Sequence, residues 1–148
     1  MQTKKHSVKK KMKILIFGLP ASGKTTLASE LVKLLDGVWI NADKIRKEYN
    51  DWDFSMDGRM RQANRMRHLA DGIVKAGRIA IADFVCPTQK AREAFDADFT
   101  VWMNTIKEGR YEDTNRIFEI PENYDHIIKE WVPSNATELA ELIKNKNV

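Results

Sequence analysis

The chain has 148 residues, of which 43% are hydrophobic and 31% charged, with a formal net charge of +4. That is one domain able to bury roughly two-thirds of its unfolded surface; two full domains, a disordered tail and a membrane span of ~20 apolar residues are all excluded. The positive charge is local: Lys4, Lys5, Lys9, Lys10, Lys11 and Lys13 carry it with no acid among them, and without these six the balance is −2.

We therefore expect a basic N-terminal tail over 1–12 and a single domain over 13–148. The apolar stretch Ile14 to Phe17 is too short for a signal peptide. The lone Cys86 excludes an internal disulfide framework, so a reducing, cytoplasmic setting is expected.

Lys13 to Phe17 (KILIF), closed by Gly18, has the apolar, β-branched character of a buried strand. Leu27, Leu31, Leu34 and Leu35 recur at helical spacing, which predicts a helix over Lys24 to Leu35 with Gly37 as its cap. Val38 to Ile40 reads as a second strand and Ala42 to Tyr49 as a short helix. Asn50 to Asp57 shows no period and is expected to be a loop. Asp57 to Ala76 predicts a long helix, with arginines on one side and Met60, Met66, Leu69 and Ile73 on the other.

Ile79 to Phe84 is the third expected strand, and Pro87 opens a helix reaching Phe95. Phe99 to Met103 is the fourth strand, Lys107 to Asn123 an irregular loop, and Tyr124 to Ile128 a fifth strand. Pro133-Ser134-Asn135 caps a last helix through Ile143. Strands alternating with helices at this spacing predict an α/β fold: three layers, a parallel sheet of about five strands, and helices on both faces. Ligands of such sheets lie at the carboxyl ends of the strands.

Gly18-Leu19-Pro20-Ala21-Ser22-Gly23-Lys24-Thr25 fits G-x-x-x-x-G-K-[ST] between an expected strand and an expected helix. Its glycines let successive backbone N–H groups turn inward around a phosphate, and the helix dipole points at the same anion. Gly18, Ala21, Ser22, Gly23, Lys24, Thr25 and Thr26 are thus the candidate ATP-binding residues. Lys24 would reach the β- and γ-phosphates, and the Thr25 hydroxyl would ligate Mg²⁺. Asp83, ending an apolar strand, is a second candidate for ordering the metal. Neither N-K-x-D nor D-x-x-G occurs, which excludes a GTPase switch; a small kinase fits the length.

A second set of motifs follows. Asn41-Ala42-Asp43-Lys44-Ile45-Arg46 ends the second strand, Phe54-Ser55-Met56-Asp57-Gly58-Arg59 opens the long helix, and Phe84-Val85-Cys86-Pro87 leads to Arg92. With GLPASGKTT, this order resembles the adenylylsulfate (APS) kinase family, in which GLxGSGKST precedes DGDxxR, FSxxDRxENxRR and FISPxxxxR. The likeness covers about residues 12 to 104 and is loose beyond them.

The resemblance implies a P-loop kinase moving the γ-phosphoryl group of ATP to a ribose 3′-hydroxyl. It makes Asp43 the catalytic acid beside Lys24, acting as base or metal anchor. Arg46, Arg59 and Arg65 would hold the anionic end of the acceptor, with Gln62 where the helix asparagine falls. Phe54, Phe84 and Phe118 would lie near the acceptor.

The chain departs from that pattern, at Gln62 and also elsewhere. Asn41 and Ala42 replace the first acid and the glycine of DGD, Cys86 replaces the serine of FISP, and the R-D-x-K-G-L-Y lid segment is missing. Arg110 and Arg116 are candidates for the lid's phosphate contact. A different acceptor, such as a nucleoside monophosphate or another small hydroxyl compound, and a non-catalytic nucleotide-binding protein are the alternatives. Trp39 and Trp102 are expected in the core; Trp52 lies where it could stack on a base. The expected partner is a small-molecule nucleotide, with no membrane, no specific nucleic-acid signal beyond the basic tail, and a homodimer as the candidate assembly.

Overall fold

The computed structural model describes residues 11–109 and 111–146. The expected basic tail falls almost wholly outside the described residues. Within them, five parallel strands form one sheet in the order β2-β3-β1-β4-β5. They are β1 (Met12–Phe17), β2 (Val38–Asn41), β3 (Ile79–Asp83), β4 (Phe99–Met103) and β5 (His126–Ile128). The helices are α1 (Lys24–Leu35), α2 (Ala42–Tyr49), α3 (Met56–Lys75), α4 (Gln89–Phe95), α5 (Glu112–Ile117) and α6 (Asn135–Lys146). The three-layer α/β reading holds. No helix among the described residues is long and apolar enough to cross a membrane.

β1 lies in the middle of the sheet, pairing with β3 on one side and β4 on the other. All six of its residues are buried. Strand alternation sends Ile14 and Ile16 to one face, where they pack with Leu27, Leu31, Leu139 and Ile143 of α1 and α6. Leu15 and Phe17 go to the other face, against Met66 and Ala70 of α3 and Ala91 and Phe95 of α4. A strand buried on both faces reads as a continuous apolar run, which is why KILIF was legible. Its one charged member, Lys13, donates to the Phe95 carbonyl and pairs with Asp71 at 2.8 Å.

Several boundaries differ from the expected ones for local reasons. Asp36, not Gly37, takes the left-handed conformation that ends α1 (φ 51°), and the Gly37 amide donates back to the Val32 carbonyl. Thr88, not Pro87, caps α4 by accepting from the Ala91 amide. The span 107–123 is not all loop, because it contains α5. That helix has only six residues, too few to display a period, although Glu112 and Asp113 at its start and Arg116 at its end suit the helix dipole.

The turn between α2 and α3 is tied down from both sides. Ser55 caps α3 through the Gly58 amide, Asp53 Oδ1 accepts from the Ser55 amide, and Arg61 and Arg65 both reach the Asp51 carboxylate. Those arginines hold the Asp51 carboxyl well below the usual carboxylate range. Gly58 lies directly under this turn, and a β-carbon there would collide with the Asp53 carbonyl oxygen. Gly58→Ala is therefore expected to lower stability by about 1–3 kcal/mol through overpacking. Thermal unfolding checks this, with Gly72→Ala as the control, since nothing lies within 4 Å of a β-carbon at Gly72.

Candidate functional site

The carboxyl ends of β1, β2 and β3 open into a cavity of about 730 Å³. Pro20, Ala21, Lys24 and Thr25 line one end; Asn41, Ala42, Asp43 and Asp83 the middle; Arg46, Trp52, Phe54, Arg59 and Gln62 the other end. The phosphate loop that starts the cavity is shaped by close packing. A β-carbon at Gly18 would sit 2.6 Å from the Met103 carbonyl oxygen, so only glycine lets the loop pass β4 this closely. Behind it the Ser22 carbonyl accepts from the Thr105 hydroxyl at 2.7 Å.

Among the described residues, five non-glycine residues have positive φ. Three of them, Asp36, Asn50 and Asp96, end helices. The other two, Ala21 (φ 68°) and Cys86 (φ 45°), both line the cavity, so the backbone strain outside helix caps is concentrated at this site.

Lys24, first residue of α1, is 8% exposed, and its Nζ donates to the Leu19 carbonyl at 2.9 Å. Burial lowers its pKa from 10.5 to about 8, against the pull of Asp83 and Asp43. Burial raises the Asp83 pKa, while hydrogen bonds from Trp39 and Asn41 and the nearby Lys24 oppose the rise. Asp43 and Thr25 are exposed at the same wall. Thr25, Asp43 and Asp83 provide hard oxygen donors of the kind Mg²⁺ takes, and Mg²⁺ is commonly held by one or two carboxylates together with substrate phosphates.

The expected acceptor residues divide into two groups. Phe54, Arg59, Gln62 and Phe84 line the cavity. Arg59 Nε donates to the Phe54 carbonyl, Nη2 to the Thr114 hydroxyl, and its guanidinium lies 5.3 Å from the Phe54 ring. Arg46 also lines the cavity, but its Nη1 donates to the Asp51 and Asp53 carbonyls and its guanidinium stacks 4.3 Å from Phe54. It braces the turn as much as it faces a ligand. Gln62 donates to the Ala42 carbonyl and accepts from Arg65, fixing where α2 begins.

Arg65 and Phe118 are placed elsewhere. Arg65 pairs with Asp51 at 2.9 Å and stacks on Tyr49. Phe118 stacks on Phe17, at 6.5 Å between ring centroids, and on the guanidinium of Arg92. Arg92 packs against both rings and donates to the carbonyls of Cys86, Pro87 and Glu119. It ties the end of β3 to the chain beyond α5. Burial pushes the Cys86 thiol up, as fits a core residue. Arg116 is exposed and pairs with Asp113; Arg110 lies outside the described residues.

Sequence reasoning missed Tyr111, Asp113 and Thr114 in the lining, because α5 carries no period. It also put Trp39 in the core, whereas Trp39 is 36% exposed and donates through Nε1 to Asp83 at 2.7 Å. Trp102, at 8%, is buried as expected.

The family model for adenylylsulphate kinase matches residues 10–108. No curated protein matches the chain. Among solved structures it is similar to a Mycobacterium tuberculosis APS kinase in complex with AMPPNP and APS, with TM-score 0.77 and 20% identity over 93% of this chain and 99% of that one. A sugar kinase from Janibacter sp. HTCC2649 gives TM-score 0.71 and 14% identity over 90% and 94%. Shikimate kinase from Acinetobacter baumannii in complex with shikimate gives 0.59 and 20% over 97% and 99%. At these identities the structures show a shared fold.

The lowered pKa of Lys24 has a consequence for anion binding. The ammonium is the form that attracts a phosphate, so raising the pH through about 8 discharges it before ligand arrives. ATP affinity is expected to be level below pH 7 and to fall by about tenfold per unit well above pH 8, until the pKa of the bound state is passed. Calorimetry at pH 8.5 in two buffers of different ionisation enthalpy should show proton uptake on binding. Lys24→Ala should remove both the uptake and the pH dependence.

Proposed function

Since the chain belongs to the adenylylsulphate kinase family, and is an ATP-dependent P-loop kinase, we propose that it transfers the γ-phosphoryl group of ATP to the 3′-hydroxyl of adenylylsulphate or a closely similar nucleotide. The observation that carries this reading is the single continuous cavity. It runs from Lys24 and Thr25 past Asp43 and Asp83 to Phe54 and Arg59, so one space joins a phosphate-binding loop, acids and an aromatic–arginine acceptor wall.

Phosphoryl transfer asks for alignment and charge neutralisation more than for covalent help. In this reading the loop amides from Ala21 to Thr26 hold the phosphates, and Lys24 balances charge on the β- and γ-oxygens. Asp43, at the start of α2, takes the proton of the attacking hydroxyl. Phe54, against whose ring both Arg46 and Arg59 pack, brings an aromatic surface to the acceptor end of the cavity, and Arg59 offers charge to the anionic end of the acceptor. Thr25 and Asp83 are the residues that would hold Mg²⁺, which when bound would neutralise charge between the phosphates.

A second reading, transfer to a different acceptor, is favoured by one observation. Arg65 and part of Arg46 are committed within the chain, and the acid Asp113 lies in the cavity wall, which weakens the case for a strongly anionic acceptor.

ADP release from ATP·Mg²⁺ should be measured with adenylylsulphate, with a panel of nucleoside monophosphates and small alcohols, and with no acceptor, reading product mass in each. A 3′-phosphorylated adenylylsulphate formed well above the panel is the expected result. Turnover confined to another compound would replace the acceptor. Arg59→Ala should raise the acceptor KM by about tenfold or more and leave that of ATP nearly unchanged.

A further inference from the structure

β2 and β3 are in register so that Asn41 stands directly beside Asp83. Asp83 Oδ2 accepts two hydrogen bonds, from Trp39 Nε1 at 2.7 Å and from Asn41 Nδ2 at 3.2 Å. Asn41 is meanwhile fixed from its other side: its Oδ1 accepts from the Lys44 amide as the cap of α2. With that oxygen committed to the helix, its amino group is turned toward Asp83. Asp83 is 3% exposed and lines the cavity together with Lys24 and Thr25.

An acid at position 41 could not make this arrangement. It would have no proton to donate, and two carboxylates at paired positions in a buried wall repel. The related sequence pattern carries an acid where Asn41 stands. Here the position is neutral, and the charge lies one strand over.

We propose that Trp39, Asn41 and Asp83 work as one unit, in which the site's carboxylate has been carried from β2 to β3. Asp83 is the acid that meets the cation held on the donor's phosphates, and Trp39 and Asn41 are positioning residues. Two neutral N–H donors on the one oxygen Oδ2 fix the plane of the carboxyl group, and neither of them engages Oδ1. The indole of Trp39 lies at the edge of the sheet with its one polar hydrogen committed to Asp83. The proposal rests on the ATP side of the function above and is independent of the acceptor.

The test uses Asp83→Asn, Trp39→Phe and the exchange N41D/D83N, with folding checked by circular dichroism. Mn²⁺ binding to each protein in the presence of AMPPNP is followed by electron paramagnetic resonance, and ADP formation is measured alongside. Asp83→Asn should weaken Mn²⁺ binding by about 10- to 100-fold and lower kcat; Trp39→Phe, which keeps the ring and loses the donor, should weaken it by about tenfold. The exchange, which returns the acid to β2 opposite an amide, should recover most of the loss.

Unchanged Mn²⁺ binding in folded Asp83→Asn or Trp39→Phe overturns the proposal. So does a folded exchange variant no better than Asp83→Asn. A loss of melting temperature with wild-type Mn²⁺ affinity would assign the trio a structural role only. If the exchange fails to fold, the two single variants decide. Because the Mn²⁺ readout needs no acceptor, failure of adenylylsulphate as substrate leaves this test standing.

Discussion

The burial of β1 on both faces is the constraint on which the rest of the molecule depends. A strand hydrogen-bonded on both edges and covered by α1 and α6 on one face and α3 and α4 on the other has no freedom to slip. Its carboxyl end therefore delivers Gly18 to one fixed point against β4, and the phosphate loop turns from there into α1. A parallel sheet brings the ends of β2 and β3 to the same edge, so Asn41, Asp43 and Asp83 gather beside Lys24 without any long-range loop having to be ordered.

The acceptor end is built differently. It depends on a turn, residues 50–55, which has little core of its own and is held by polar groups. Asp51 takes Arg61 and Arg65, the Asp51 and Asp53 carbonyls take Arg46, and Gly58 lets the turn lie close on α3. Arginines that a sequence pattern marks for a ligand are in part the means by which the pocket wall stands. A guanidinium has five donors, and Arg46 shows that bracing a turn and lining a cavity are compatible in one side chain.

The fold was legible where periodicity or a buried apolar run is long enough to speak. β1, α1, α2, α3 and β4 fall within a residue or so of their expected limits, and the phosphate loop is where its glycines required. What escaped was short or relational. α5 spans fewer than two turns, so no apolar stripe could mark it or announce Tyr111, Asp113 and Thr114 as wall residues. The resemblance put Phe118 near the acceptor, but its ring packs on Phe17 and on the buried Arg92. Trp39 was expected in the core on hydrophobicity alone; the acid that engages its indole lies 44 residues away, joined to it only by strand register.

The strap from α5 back to α4 has a dynamic consequence. Glu119 bonds to the Pro87–Arg92 region three ways: its amide to the Pro87 carbonyl, its carboxylate to the Gln89 amide, and its carbonyl to Arg92. At the other end Asn115 clasps Gly109 through both of its side-chain atoms. The amides of Gln89 and Glu119, 30 residues apart, are thus bonded across the same junction, and their hydrogens are expected to exchange with solvent together. The chain beyond α5 is thereby anchored to the segment after β3 and to the first turn of α4, where Pro87 and Ala91 line the cavity.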